Sequence, residues 1–192
     1  MQLGIIGDID QVEDEIVRFY AFKGYCVSTA AGIEHLLFSC FYSANDLSEE
    51  DAAAKFYGSK RFTTFSQKRD LADEAVKDVY RNPGVLETWD KLISEISAVT
   101  GVDGARNVLA HNILSIHAYE NEGDPSKPYL FELAVSRNRN EAAAFGRDPR
   151  VVNLKSVREE ACALNSAYMR LFHFYDRHLK HLYKKIKEQP SE

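Results

Sequence analysis

The sequence has few cysteines, no surplus of positive charge and no long apolar run, and each of these absences excludes a class of protein. Its three cysteines, Cys26, Cys40 and Cys162, are odd in number and form no CxxC pair. This usage predicts free thiols in a reducing compartment. The net charge of −5 argues against a protein that coats nucleic acid by bulk electrostatics. A local basic site is still compatible with that charge.

No membrane-spanning segment and no export signal are expected. No stretch of the chain approaches the roughly 18 consecutive apolar residues that a spanning helix needs. Residues 1–10 contain neither a basic region nor an apolar run of signal-peptide length. We therefore expect a cytoplasmic protein without a membrane partner.

The composition is that of an ordinary globular protein. The 192 residues are 45% apolar and 28% charged, which is enough to bury a sizeable core. The sequence contains no internal repeat and no low-complexity linker. These features predict a single domain over residues 1–192.

The spacing of apolar residues predicts a mainly helical chain. Steps of three and four predict helices at about residues 9–44, 49–57, 62–80, 86–100 and 157–186. The first of these is expected to kink or split near Gly24 or Gly32. Two β-prone segments predict a small two-stranded insert at about residues 114–135. The predicted fold class is all-α, a helical bundle with this insert before a long C-terminal helix.

Arg106, Asn107 and His111 form the one stretch whose pattern indicates chemistry. Asp103 is a plausible N-cap for a helix that carries them. On that helix the three side chains share a polar arc of about 140°. The opposite arc is mainly apolar and includes Ile113. A polar network that only braces the bundle is the alternative interpretation.

The residue types on this arc suit reactions at phosphate. Arg106 is always charged and can bind a phosphate with two hydrogen bonds. His111 can move protons near neutral pH, and Asn107 could orient either group. Metal-free RNA cleavage needs proton transfer and a cation for the developing phosphorane charge. One copy is half of such a site, and a two-fold partner would supply both an acid and a base.

The Arg-Asn-x-x-x-His pattern, late in a helical bundle, resembles the motif of the HEPN superfamily. Many members of this all-α group are metal-independent endoribonucleases of toxin, anti-phage and RNA-processing systems. The resemblance implies a composite active site at a homodimer interface, with catalytic roles for Arg106, Asn107 and His111, RNA as substrate, and no metal or cofactor. An antitoxin or another regulatory protein is a further implied partner. Other members bind without cleaving, so a non-catalytic dimerisation module that binds RNA, a nucleotide or a protein is the alternative.

The HEPN toxins that pair with a nucleotidyltransferase antitoxin often carry a Tyr two positions after the His. This chain has Ile113 at that position. The departure weakens the expectation of that particular antitoxin.

The segment 136–158 carries an unusual surplus of positive charge. It has six basic residues against Glu141 and Asp148 only. Either it is a solvated surface loop or it is an arm that contacts substrate phosphates. The candidate substrate-binding residues are Arg137, Arg139, Arg147 and Arg150.

Three histidines on the last helix could suggest a metal site. His178 and His181 are suitably spaced for two ligands, but no Cys or carboxylate completes the set. His173, His178 and His181 are therefore interpreted as residues of a solvated face. The nearby basic cluster, which includes Arg177, is interpreted as the cationic end of a helix.

Overall fold

The computed structural model describes the backbone of residues 5–6, 9–58, 64–101, 112–120, 129–137 and 154–182. Within these ranges most residues are helical, which confirms the predicted predominance of helix. The elements in chain order are β1 (Ile5–Ile6), α1 (Ile9–Ala44), α2 (Glu49–Tyr57), α3 (Phe65–Val79), α4 (Pro83–Thr100), β2 (Asn112–Glu120), β3 (Tyr129–Arg137) and α5 (Leu154–Phe174). A π-helical turn, Tyr175–Leu179, extends α5.

The first helix is the longest element, with 36 residues. It runs through Gly24 and Gly32 without interruption, so it is not split at either glycine. Among the helices that the structure describes, none is long and apolar enough to cross a membrane.

Short polar side chains set the starts of the next three helices. Ser48 accepts a hydrogen bond from the backbone N–H of Asp51 and so caps α2. Thr64 and Gln67 form a reciprocal capping box, which begins α3 at Phe65 and not at the predicted residue 62. Asn82 caps α4 and places Pro83 at its first position, where a missing N–H costs nothing. The stretch Asn82-Pro83-Gly84, which lies between the helices predicted at about residues 62–80 and 86–100, therefore includes the beginning of α4.

The chain divides into two compact units. One comprises Met1–Val27 and Ala105–Cys162, and the other comprises Ser28–Gly104 and Ala163–Glu192. We refer to them as the sheet unit and the helical unit. The single domain over residues 1–192 stays a prediction.

The sheet unit contains an antiparallel sheet in the order β1-β3-β2. The strands β2 and β3 pair from Asn112 with Arg137 to Glu120 with Tyr129, at the positions of the predicted insert. The short β1 adds a third strand, which the sequence did not predict. Asn112 and Ile113 belong to β2, so the prediction that Ile113 lies on the apolar arc of the motif helix is wrong. Pairing with β3 gives these residues the ladder hydrogen bonds that a helix would otherwise supply.

The helical unit is built around large side chains that are fully buried. Its core lies between the second half of α1, the helices α2 to α4 and the C-terminal part of α5. The largest members are Trp89, Phe41, Phe56, Ile33, Leu37, Ile96, Leu164, Leu171 and Leu179. Those on α1 are four residues apart, and those on α4 and α5 are seven or eight apart, which places them on one face of each of these helices.

Candidate functional site

The predicted catalytic residues Arg106, Asn107 and His111 fall in the segment 102–111, which lies outside the described residues. Three of the four predicted substrate-binding residues also lie outside them: Arg139, Arg147 and Arg150. The fourth, Arg137, is the last residue of β3, and its backbone is described. The catalytic assignment therefore stays a prediction from sequence.

The strand register relates the motif to the basic segment along the backbone. Asn112 is the first residue of β2 and follows His111 directly in the chain. Its partner across the ladder is Arg137, the first basic residue of the segment 136–158. Opposite residues of an antiparallel pair have Cα atoms about 4.5–5.5 Å apart. The motif thus ends, and the basic segment starts, at the same end of the same strand pair.

In the helical unit, α4 and α5 line a pocket of about 530 Å³, which we call the α4/α5 pocket. Each helix contributes residues at steps of three and four, so one face of each helix forms a wall. The lining consists of Thr88, Lys91, Leu92 and Glu95 from α4, and Arg170, His173, Phe174, Arg177 and His178 from α5 and its π-helical turn.

The lining of this pocket is predominantly cationic. It contains three permanent cations and a single carboxylate, Glu95, which forms an ion pair with Arg170. Lys91 pairs with Glu87 at 2.8 Å, but both side chains are at least 70% exposed, so the pair is weak. Arg177 forms no hydrogen bond or ion pair with any residue that the structure describes.

The floor of the α4/α5 pocket is apolar and closely packed. Leu92 and Phe174 are each only 4% exposed. The Phe174 ring contacts two other rings, with its centroid 4.9 Å from that of Trp89 and 4.8 Å from that of His178. The pocket therefore combines an apolar floor with a cationic rim.

A hydrogen-bonded chain behind the floor fixes the position of Trp89. Its indole Nε1 donates to Asp73 Oδ1 at 2.8 Å. The other oxygen of Asp73 pairs with Lys77 at 2.9 Å, and Lys77 also contacts Asp90 at 3.0 Å. Hydrogen bonds to these two carboxylates raise the pKa of Lys77. The fully buried indole is thus satisfied by a partner in α3.

His178 sits in the π-helical turn, at the edge of the pocket. The hydroxyl of Tyr80 donates to the backbone carbonyl of His178, and the two rings meet edge to face. The wider turn is closed by a bond from the Lys180 N–H to the Tyr175 carbonyl, five residues back. Burial lowers the pKa of the His178 imidazole, and the charges of Arg177 and His181 add to the effect. The neutral imidazole can both donate and accept a hydrogen bond.

The sequence did not predict this pocket. His173 and His178 were assigned to a solvated face because no Cys or carboxylate completes a metal site with them, and Arg177 was assigned to the cationic end of a helix. Their common feature appears only when α4 packs beside α5 and adds Lys91 and Glu95. In the described part of the chain, no group of three or more His, Cys, Asp or Glu side chains could hold a metal ion.

Comparisons with known proteins do not identify a relative. No protein-family model matches the chain, and neither a curated protein nor a solved structure is significantly similar to it. The resemblance to the HEPN superfamily therefore rests on the Arg106-Asn107-x-x-x-His111 pattern and on the mainly helical fold.

Proposed function

We propose that the protein is a metal-independent endoribonuclease of HEPN type, with a composite active site at a homodimer interface. His111 acts as the general acid or base, Arg106 stabilises the phosphate charge and Asn107 orients the two. Toxin, anti-phage and RNA-processing systems are the settings that such an activity would serve, with an antitoxin or another protein as regulator.

The proposed reaction uses only side chains and the RNA itself. One His111 removes the proton from a ribose 2′-hydroxyl, and the 2′-oxygen then attacks the adjacent phosphorus. The bond from phosphorus to the 5′-oxygen breaks, and the second His111 of the dimer protonates that oxygen. The products are a 2′,3′-cyclic phosphate and a 5′-hydroxyl. Arg106 offsets the negative charge that develops on the phosphorane oxygens.

The observation that carries the proposal is the pairing of Asn112 with Arg137. It supports an arrangement in which Arg137 and the basic segment begin beside Asn112, directly after the motif, so that one RNA strand could contact both. Phosphate contacts from several arginines would hold an RNA strand in position without reading its sequence. The substrate-binding roles of Arg137, Arg139, Arg147 and Arg150 belong to this proposal.

An exposed apolar stripe on α1 supports the proposed homodimer. In the sheet unit, Val17, Tyr20 and Val27 are 67%, 54% and 46% exposed. With Gly24 they follow a spacing of three and four, which is the seam pattern of paired helices. A side chain added at Gly24 would meet nothing within 4 Å, so a second helix could approach closely there. A second copy of the chain is the occupant that the composite site requires.

Cleavage of RNA in the presence of EDTA tests the activity. We expect the wild-type protein to cut mixed RNAs and to leave 2′,3′-cyclic phosphate ends. His111→Ala and Arg106→Ala should each lower the rate by about 10² or more, the scale of general acid-base and electrostatic effects. His117→Ala, which changes a histidine of β2 outside the motif, is the matched control and should retain activity. Cleavage that persists in both motif variants would reject the proposal.

The dimer is tested separately by analytical ultracentrifugation. Tyr20→Glu should shift the protein towards monomers and lower the cleavage rate, because a charge would be buried at the seam. Met169→Glu changes an exposed apolar residue of α5 and should leave the oligomeric state unchanged. A monomeric wild-type protein with full activity would contradict the composite site.

The second candidate function is a non-catalytic module that dimerises and binds RNA, a nucleotide or a partner protein. The cationic rim of the α4/α5 pocket favours it, because the positive charge of this site can bind a phosphate and binding alone requires no catalytic group. Saturable RNA binding by a protein that does not cleave RNA would establish this function in place of the first.

A further inference from the structure

We propose that the α4/α5 pocket is a binding site for a nucleoside monophosphate, either free or at the end of an RNA strand. The phosphate would lie against Arg177, Arg170 and Lys91 on the rim, and the base or sugar would lie over Leu92 and Phe174. The inference concerns the helical unit alone and does not depend on cleavage by Arg106 and His111.

The rim provides cations that are available to an anion. Arg177 has no hydrogen-bonding partner in the described part of the chain, and a guanidinium binds phosphate through two parallel hydrogen bonds. Arg170 is 61% exposed in its ion pair with Glu95, so exchange of this carboxylate for a phosphate costs little. Lys91 is similarly exposed in its pair with Glu87. Two arginines and one lysine thus converge from two helices.

The interior favours a compact group with both flat and polar surfaces. Leu92 and Phe174 present an apolar floor, and the imidazole of His178 borders it. The Thr88 hydroxyl donates to the Gly84 carbonyl at 2.9 Å, which leaves its oxygen free to accept a hydrogen bond from a sugar or base. A volume of about 530 Å³ lies within the usual range of small-molecule sites.

The composition of the lining argues against other ligand classes. A divalent metal needs several oxygen ligands, and the only carboxylate of the lining is already paired with Arg170. A purely apolar ligand would leave three cations and two imidazoles beside an uncharged surface, where their solvation would be impaired. A bare phosphate would use the rim and leave the apolar floor uncovered.

The single tryptophan of the chain provides a direct readout of binding. Trp89 packs against Phe174 directly behind the floor. Titration of the full chain with adenosine 5′-monophosphate should therefore change its fluorescence in a saturable way, and calorimetry should give the same dissociation constant. Adenosine and inorganic phosphate, titrated separately, test the two halves of the ligand. A 5′-phosphorylated dinucleotide tests the end of an RNA strand, and tighter binding of it than of the monophosphate would identify RNA as the source.

Three variants connect the binding to this pocket. Arg177→Ala should weaken binding of the monophosphate by about tenfold or more, the usual effect of losing a charge-assisted hydrogen bond. Glu95→Gln should strengthen it several-fold, because the competing carboxylate on Arg170 is removed. Lys180→Ala removes a cation from the same helix that does not line the pocket, and it should leave the affinity unchanged. Circular dichroism should show that all three variants are folded.

Three results would overturn the inference. One is equal weakening by Arg177→Ala and Lys180→Ala, which would indicate nonspecific attraction to a cationic surface. The second is the absence of saturable binding by both the monophosphate and the phosphorylated dinucleotide. The third is inorganic phosphate that binds as tightly as the monophosphate, which would reject the base and sugar contacts and reduce the site to a simple anion site. The readout of this test is binding at the α4/α5 pocket and not cleavage, so failure of the nuclease proposal would not affect this result.

Discussion

The ring of Phe174 packs against the indole of Trp89, with their centroids 4.9 Å apart and their planes inclined by 40°. Trp89 is completely buried, and its indole donates a hydrogen bond to Asp73. Phe174 lines the α4/α5 pocket. The pocket floor is therefore continuous with the core of the helical unit. Because protein cores are close-packed, changes behind the floor should alter both stability and binding.

Replacement of Trp89 tests this continuity. Trp89→Phe should lower the free energy of unfolding by about 1–3 kcal/mol, since it leaves a void and removes the hydrogen-bond partner of Asp73 Oδ1. Urea denaturation followed by circular dichroism measures the change. Phe172→Leu alters an exposed aromatic residue of α5 and should change stability by no more than about 0.5 kcal/mol. Equal stabilities of Trp89→Phe and the wild type would contradict the role assigned to the indole.

The two glycines inside α1 should respond in opposite directions to alanine. A Cβ at Gly32 would lie 2.9 Å from Cε2 of Tyr168, so the α5 ring would have to move. Overpacking of this kind costs about 1–3 kcal/mol, which exceeds the gain of about 0.5–1 kcal/mol in helix propensity. Gly32→Ala should therefore destabilise the protein. A Cβ at Gly24 would have no atom within 4 Å, so Gly24→Ala should stabilise the monomer by about 0.5–1 kcal/mol through helix propensity alone.

Thermal denaturation of the two glycine variants and the wild type gives the comparison. Tyr168→Leu combined with Gly32→Ala should recover part of the loss, because the ring that obstructs the new methyl group is gone. Similar stability changes at the two glycines would show that the contact with Tyr168 tolerates the extra atom.

The pKa of His178 predicts a loss of stability in mild acid. Burial lowers this pKa below its ordinary value of 6.5 in the folded chain. Below that pH the unfolded chain binds more protons than the folded chain, so the free energy of unfolding decreases as the pH falls. Above about 6.5 the contribution is fully present. Melting temperatures should be measured between about pH 5 and 8, the range in which histidine titrates. As the pH is lowered, the melting temperature of His178→Gln should fall less steeply than that of the wild type. An unchanged slope would contradict the prediction.

The three cysteines should differ in reactivity in the folded protein. Burial, with smaller contributions from the charges of Glu160 and Cys162, raises the pKa of Cys26 to about 11. Cys40 is completely buried, and burial raises its pKa as well. Because the thiolate is the reactive form, iodoacetamide at neutral pH should label the exposed Cys162 alone. Mass spectrometry should find all three labelled in denaturant, and early native labelling of Cys26 or Cys40 would contradict their burial.

Much of the helical architecture could be predicted from local sequence patterns. The bounds of α1 and α2 agree with the spacing of their apolar residues, and α2 begins at the cap that Ser48 provides. The start of α3 was less predictable, because the reciprocal bonds of Thr64 and Gln67 overrode the apolar spacing that favoured an earlier start. Val79 is apolar yet 40% exposed, because α3 ends at this residue and Tyr80 leaves the helix.

The sequence by itself determined the helical class, the β-prone segments and the Arg106-Asn107-x-x-x-His111 motif, since these depend on residues close together along the chain. Tertiary structure decided which distant residues meet. It set Arg137 opposite Asn112 through the register of β2 and β3, and it gathered the cations of α4 and α5 around one pocket. Such relationships depend on packing between segments far apart in the chain, and local periodicity carries no information about which faces will meet.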